Sequence, residues 1–159
     1  MPAITVCRGD ILDQNVEVIV NSWNRNFIPW WLLLPQGVSG HLKKRAGNKP
    51  FKELAKKGVL RSGSAVLTGP GRLDCNAIIH VAALNCLWIS NRKIVRKCVS
   101  NALDLALAIG CKSIAFPLIG SGTGGLSKKI CLELIKDEAA KHAFEGVIKI
   151  VIYEIQGER

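Results

Sequence analysis

Six short runs of apolar, largely β-branched residues alternate with segments of helical period, and this alternation restricts the chain more than any other feature. The runs are Ile4–Cys7, Val16–Val20, Ala65–Thr68, Ala77–Val81, Ser113–Phe116 and Val147–Tyr153. Near-continuous apolar strands are those covered on both faces. Helical period is read over Val38–Ala46, Pro50–Lys57, Asn91–Ile109 and Ser127–His142, with Gly110 and Gly146 as stops and Ser127 as an N-cap. Strands exchanged with helices in this order predict the α/β class, a three-layer α/β/α arrangement around a mostly parallel sheet. With 159 residues and no linker or low-complexity tract, residues 1–159 are expected to form a single domain.

In such sheets ligands sit beyond the carboxyl ends of strands, and one of those ends carries an unusual turn. Phe116 to Ser127 reads FPLIGSGTGGLS, an apolar strand passing through glycines into a helix. Gly122, Gly124 and Gly125 permit positive φ and close backbone approach, so free N–H groups can face a phosphate, with Ser121 and Thr123 as short hydroxyl donors. Gly120, Gly122 and Gly125 satisfy the spacing G-x-G-x-x-G, but only one strand follows and its Glu154 comes too late for a dinucleotide fold. Leu126 stands where a P-loop requires lysine. A phosphorylated ligand is expected, held by a different fold.

Two further segments carry polar groups at strand ends. Asp10 follows the first strand, where its carboxylate can accept from an exocyclic amine or simply close a turn. Asn21 and Asn24 end the second strand and are either loop-fixing or ligand-facing. Leu34 to Gly40 then forms a second glycine turn opening a helix, a second set of free N–H groups. His41, inside that helix, is read as a surface or packing residue.

Charge points the same way. Lys and Arg number 22 against 12 Asp and Glu, a formal charge of +10, which suits a nucleotide, a nucleic acid or a modified acidic protein. The six cysteines are scattered, with no C-x-x-C pair, as expected of buried thiols in a reduced, cytoplasmic setting without a structural metal. No segment reads as a signal peptide or a membrane span.

Together Gly9-Asp10-Ile11, the Val-Ile-Val-Asn-Ser-Trp-Asn strand end, Gly37-Val38-Ser39-Gly40 with Arg45-Ala46-Gly47, Ile79-His80-Val81-Ala82 and the Phe116–Gly125 turn resemble, in order and spacing, the macrodomain family. The resemblance covers essentially the whole chain. It implies a three-layer fold with a mixed, mostly parallel sheet, and ADP-ribose, free or attached to a macromolecule, as ligand, with no other cofactor. It implies that Asp10 bonds the adenine amine beside the Ile11 backbone and that Asn21 and Asn24 face the ligand, Asn24 at the distal ribose. Gly37, Val38 and Ser39 would hold one side of the diphosphate, Ser121, Gly122, Thr123, Gly124 and Gly125 the other, and Tyr153 would stack on adenine.

The departures bear on turnover. Hydrolytic members carry an Asp where this chain has Ser39, or an Asp or aromatic where it has Gly124, so binding is expected to outweigh catalysis. Were the chain a hydrolase of ADP-ribosyl groups or O-acyl-ADP-ribose, Asn24 and Ser39 would position the water. A plain nucleic-acid-binding module is the other alternative. A monomer is expected. The insertion Phe27–Pro35, with Trp30, Trp31 and three leucines, is expected to become extra core, a lid in which Trp30 or Trp31 covers the distal ribose, or a partner-binding patch.

Overall fold

A computed structural model describes residues 1–32 and 37–154, so Leu33 to Gln36 of the insertion and second glycine turn lie outside the described residues. The strands are β1 (Ala3–Gly9), β2 (Val18–Trp23), β3 (Ala65–Thr68), β4 (Ala77–Ala82), β5 (Ser113–Pro117) and β6 (Val147–Tyr153). The helices are α1 (Gly37–Ala46), α2 (Lys49–Ala55), α3 (Arg92–Ala108) and α4 (Lys128–Lys141). The second strand begins and ends later than the sequence pattern suggests, which moves Asn21 from a strand end into the body of β2.

All six strands form one sheet in the order β1-β6-β5-β2-β4-β3, parallel throughout except for β3, which runs antiparallel to β4. Strand alternation sorts side chains to two faces. On one face Val18, Val20, Ile79, Val81, Ile114, Phe116, Ile148 and Ile150 pack against α3 and α4 through residues such as Val95, Val99, Leu103 and Ile135. On the other, Ile19, Trp23, Ile78, Ala82 and Ala115 pack against Leu42 of α1 and Phe51 and Leu54 of α2. Phe51, Leu42 and Leu54 are fully buried, each contributing about 1.5–3 kcal/mol by leaving water. The architecture is the three-layer α/β/α sandwich with a mixed, mostly parallel sheet.

Two caps match their local sequence. Asn91 Oδ1 accepts from Ile94 N at 2.9 Å and Ser127 Oγ accepts from Ile130 N at 3.2 Å, opening α3 and α4. The chain leaves β2 for α1 and α2 on one face and leaves β5 for α4 on the other. The boundary between β2 and β5 is therefore the topological switch point, where a crevice opens beyond the strand ends. Its register contains only Val18↔Ile114 and Ile19↔Ala115, whereas β5 and β6 stay paired from Ser113↔Val147 to Pro117↔Val151. Past Ile19 and Ala115 the two central strands separate.

Candidate functional site

The separated strand ends frame a pocket of about 320 Å³. Its walls come from the end of β2 (Ser22, Trp23, Asn24), the first turn of α1 (Ser39, Gly40), the loop after β4 (Ala83, Leu84, Trp88) and the glycine turn after β5 (Gly120, Ser121, Thr123, Gly124). None of these lining residues is ionisable. Among the described residues, the lining thus holds no carboxylate, imidazole or amine of the kind general-base hydrolysis uses.

Four buried side-chain polar atoms among the described residues have no hydrogen-bond partner: Asn21 Oδ1, Asn24 Nδ2, Ser39 Oγ and Ser90 Oγ. Two of these, Asn24 Nδ2 and Ser39 Oγ, belong to residues that line the pocket, while Ser90 packs against Gly120 and Gly124 of the turn. Asn24 Oδ1 accepts from Asn26 N at 2.9 Å, an Asx turn that fixes the side chain and leaves its amide N–H groups free. Ser39 Oγ sits in the first turn of α1, where the backbone N–H groups also lack intrahelical acceptors. Leaving a buried donor unpaired costs about 1–3 kcal/mol, so two such groups on one cleft mark a surface shaped for a polar ligand.

The glycine turn is tied to the loop after β4. Gly122 to Gly124 make one turn of 3-10 helix, which Gly125 ends in the left-handed region at φ 81°. The N–H groups of Gly122 and Thr123 open this short helix and face outward, without an acceptor inside it. The Ser121 hydroxyl and backbone N–H both donate to Leu118 O, at 2.8 and 3.3 Å, so neither the expected hydroxyl nor the amide of Ser121 is left free for a ligand. Gly124 O accepts from Ser90 N at 3.0 Å. A Cβ on Gly124 would lie 2.9 Å from Ser90 Cβ, and one on Gly120 would lie 2.8 Å from Val95 Cγ2. Glycine at 124 is a packing requirement, because the 84–90 loop occupies the space a side chain would need.

That loop supplies the aromatic group absent from the turn, and sequence reasoning missed it. Asn85 Oδ1 accepts from Leu87 N at 2.8 Å and Ile89 N at 3.0 Å, which folds the segment back on itself. Trp88 is held at φ 62°, a left-handed conformation costing a bulky residue about 1–3 kcal/mol, and lines the pocket. Leu87, Trp88 and Ile89 are all exposed. The available signal was three apolar residues between a strand end and a helix N-cap, where polar loop residues are usual.

The residues expected at the adenine, Asp10, Ile11 and Tyr153, stand at the ends of β1 and β6 and are not among those lining this pocket. Asp10 Oδ1 accepts from Leu12 N at 2.9 Å and caps the short 3-10 turn Ile11–Asp13. Asp10 Oδ2 remains open, with Arg45 Nη1 3.8 Å away and itself 2.8 Å from Asp13 Oδ1. Ile11 is buried, so only its backbone can reach a ligand. Tyr153 ends β6 opposite Gly9, and its Oη lies 2.9 Å from His41 Nε2, the rings 5.6 Å apart. His41 and Arg45, one turn apart on α1, thus brace the helix against the strand ends carrying Tyr153 and Asp10.

Two expectations are corrected. Asn21 does not face the crevice. It shares a strand face with Ile19 and Trp23, is fully buried, and its Nδ2 lies 3.1 Å from His80 Nδ1. Trp30 and Trp31 do not line the pocket. Trp30 packs on the α1–α2 face between Lys43 and Lys52, whose Nζ atoms stand 5.4 and 5.8 Å from its ring. Its carbonyl accepts from Lys43 Nζ. Trp30 became partial core, and Trp31 remains two-thirds exposed (66%).

Comparisons with known proteins agree with this geometry. A family model described as Macro domain matches residues 20–135. A macro domain-containing protein of Listeria monocytogenes is 36% identical over 150 residues, covering 89% of this chain and 81% of that protein. A protein of Escherichia fergusonii named O-acetyl-ADP-ribose deacetylase is 31% identical over 168 residues, covering 98% and 91%. Among solved structures, a Trypanosoma brucei macrodomain in complex with ADP superposes with a TM-score of 0.83 at 22% identity, over 96% of this chain and 65% of that one. A macrodomain of Oceanobacillus iheyensis with ADPR gives 0.80 at 23%, over 94% and 84%. The chain belongs to the macro domain family.

Proposed function

We propose that this protein binds ADP-ribose, free or as a mono-ADP-ribosyl modification, in the crevice between β2 and β5. The carrying observation is that Asn24 Nδ2 and Ser39 Oγ, both buried and unpartnered, belong to residues lining one pocket flanked by two helix-opening turns. In this reading the diphosphate accepts from N–H groups of Gly37, Val38 and Ser39 on one side and, in the Ser121–Gly125 turn, from those of Gly122 and Thr123 on the other. Asn24 donates to a distal-ribose hydroxyl, against the wall formed by Trp88. Asp10 Oδ2 accepts from the adenine amine and Tyr153 packs on the base. ADP and ADPR in similarly folded macrodomains support it, as do relatives named for an ADP-ribose derivative. No further cofactor is required. The six free thiols fit a reduced, cytoplasmic setting.

Calorimetric titration with ADP-ribose, AMP and NAD tests the reading. ADP-ribose is expected to bind at least about tenfold more tightly than AMP, since AMP lacks the second phosphate and ribose, and Asn24→Ala is expected to remove most of that margin. Equal affinity for AMP and ADP-ribose would sink the roles given to the two turns.

The deacetylase name of a 31% identical relative favours one second reading, hydrolysis of an O-acyl ester of ADP-ribose. Without an ionisable lining group, a water would be held by Asn24 and Ser39, and developing charge met by the turn N–H groups. Release of acetate from O-acetyl-ADP-ribose that Asn24→Ala abolishes would establish turnover; binding without release identifies a reader.

A further inference from the structure

The positive charge of the molecule is concentrated on one side. Residues 37–74 hold nine Lys or Arg against two acids, Glu53 and Asp74. This segment builds α1, α2 and the approach to β4, and between them lies an open groove of about 1040 Å³, separate from the crevice and meeting it at Gly40. Lys43, Lys44, Lys49 and Arg72 line it. Lys44, Lys49 and Arg72 are exposed. The one lining carboxylate, Glu53, accepts from Gly69 N at 3.0 Å, which draws it toward the backbone and away from the lysines.

Aromatic rings stand beside these cations. Trp30 is held between the ammonium groups of Lys43 and Lys52. The Trp30 carbonyl, bonded to Lys43 Nζ, belongs to the peptide unit that begins Trp31. Trp31 thus follows a carbonyl anchored to a groove-lining lysine, and its side chain is largely in solvent. Exposing an indole costs free energy that nothing within the described fold offsets.

A basic track with an exposed aromatic ring on a loop anchored to one of its lysines is the chemistry that takes a phosphodiester chain with unstacked bases. A duplex keeps its bases stacked inside and would leave Trp31 idle. An acidic peptide would use the cations but not the ring. We propose that the α1–α2 groove binds single-stranded nucleic acid, with phosphates on Lys44 and Lys49 and a base stacked on Trp31. The site does not depend on ADP-ribose binding, although a strand lying in it would run past the mouth of the crevice.

Fluorescence anisotropy of a labelled oligo-dT of about 12 nucleotides, titrated with the full chain, tests the proposal. Affinity is expected to fall about sevenfold or more between about 50 and 200 mM salt, with a log–log slope near −0.7 per phosphate contact. Replacing both Lys44→Gln and Lys49→Gln should weaken binding about tenfold and flatten the slope by about 1.4. Trp31→Ala should weaken it about fivefold or more with the slope unchanged, the signature of lost stacking rather than lost charge. Saturating ADP-ribose and Asn24→Ala should leave oligonucleotide affinity intact, which separates this site from the crevice. The proposal is overturned by an unchanged slope in the double lysine variant. Equal binding of blunt duplex that Trp31→Ala does not touch also overturns it, as does equal competition by poly-glutamate.

Discussion

At position 124 one hydrogen atom decides the shape of the site. With Ser90 Cβ only 2.9 Å from where a Cβ would stand, Gly124→Ala must push the 84–90 loop outward. A cost of about 1–3 kcal/mol is expected from such overpacking, read as a lowered midpoint in urea unfolding. The same displacement would carry Trp88 away from the pocket, so ADP-ribose affinity should fall in parallel. Trp88 allows the opposite separation. It sits at φ 62°, which glycine adopts without strain. Trp88→Gly should therefore leave stability unchanged or slightly raised while weakening ADP-ribose about fivefold or more through the lost ring. Equal affinity in Trp88→Gly and the parent chain would show that the indole is not part of the ligand wall.

Between strands, Asn21, His80 and Thr68 form a directed chain across β2, β4 and β3. Asn21 Nδ2 donates to His80 Nδ1 at 3.1 Å, His80 Nε2 donates to Thr68 Oγ1 at 2.8 Å, and the Thr68 hydroxyl donates to Gly69 O at 3.1 Å. This order requires neutral imidazole, and complete burial pushes His80 down to about 3 from its ordinary 6.5. The unfolded chain then takes up a proton near pH 6.5 that the folded chain refuses until about pH 3. Stability is therefore full above 6.5 and declines by about 1.4 kcal/mol per pH unit below it, or about 2 kcal/mol at pH 5. Urea unfolding at pH 7.5 and pH 5 checks this, with His80→Gln expected to flatten the dependence.

The same elements show how far sequence reading reaches. The apolar runs and helical periods located every strand and helix, because burial on both sheet faces leaves an unbroken apolar signature. Asn21 was misjudged because the second strand was ended at Val20; alternation from Ile19 through Trp23 would have turned its side chain inward. Asn24 and the glycine turn were legible because polar and glycine residues at strand ends have few structural uses. Trp88 was not, since a left-handed tryptophan has no propensity signal and its loop contains no glycine.

Taken whole, the molecule keeps its apolar core on both faces of one sheet while its charge gathers on the α1–α2 side. No helix among the described residues is long and apolar enough to cross a membrane. A ligand bridging Asn24 and the Gly122 turn binds only the folded chain, and should raise its stability by about 2.7 kcal/mol at a hundredfold excess over Kd. A scan of thermal midpoint against ADP-ribose concentration measures that linkage, and AMP should give the smaller shift.

The brief pairing of β2 with β5 has a mechanical consequence. Two register pairs at one end and none at the other leave the ends of β2 and β5 free of each other past Ile19 and Ala115, the arrangement of a pair of jaws. One jaw carries Asn24 and the other the glycine turn, so a ligand gripped by both acts as a clasp. Hydrogen–deuterium exchange should slow most, on adding ADP-ribose, in peptides spanning residues 20–24 and 116–125, while β1 and β3 at the outer margins change little. Protection spread evenly over the sheet would mean that the jaws do not move, and that the open end is simply the rigid mouth of a socket.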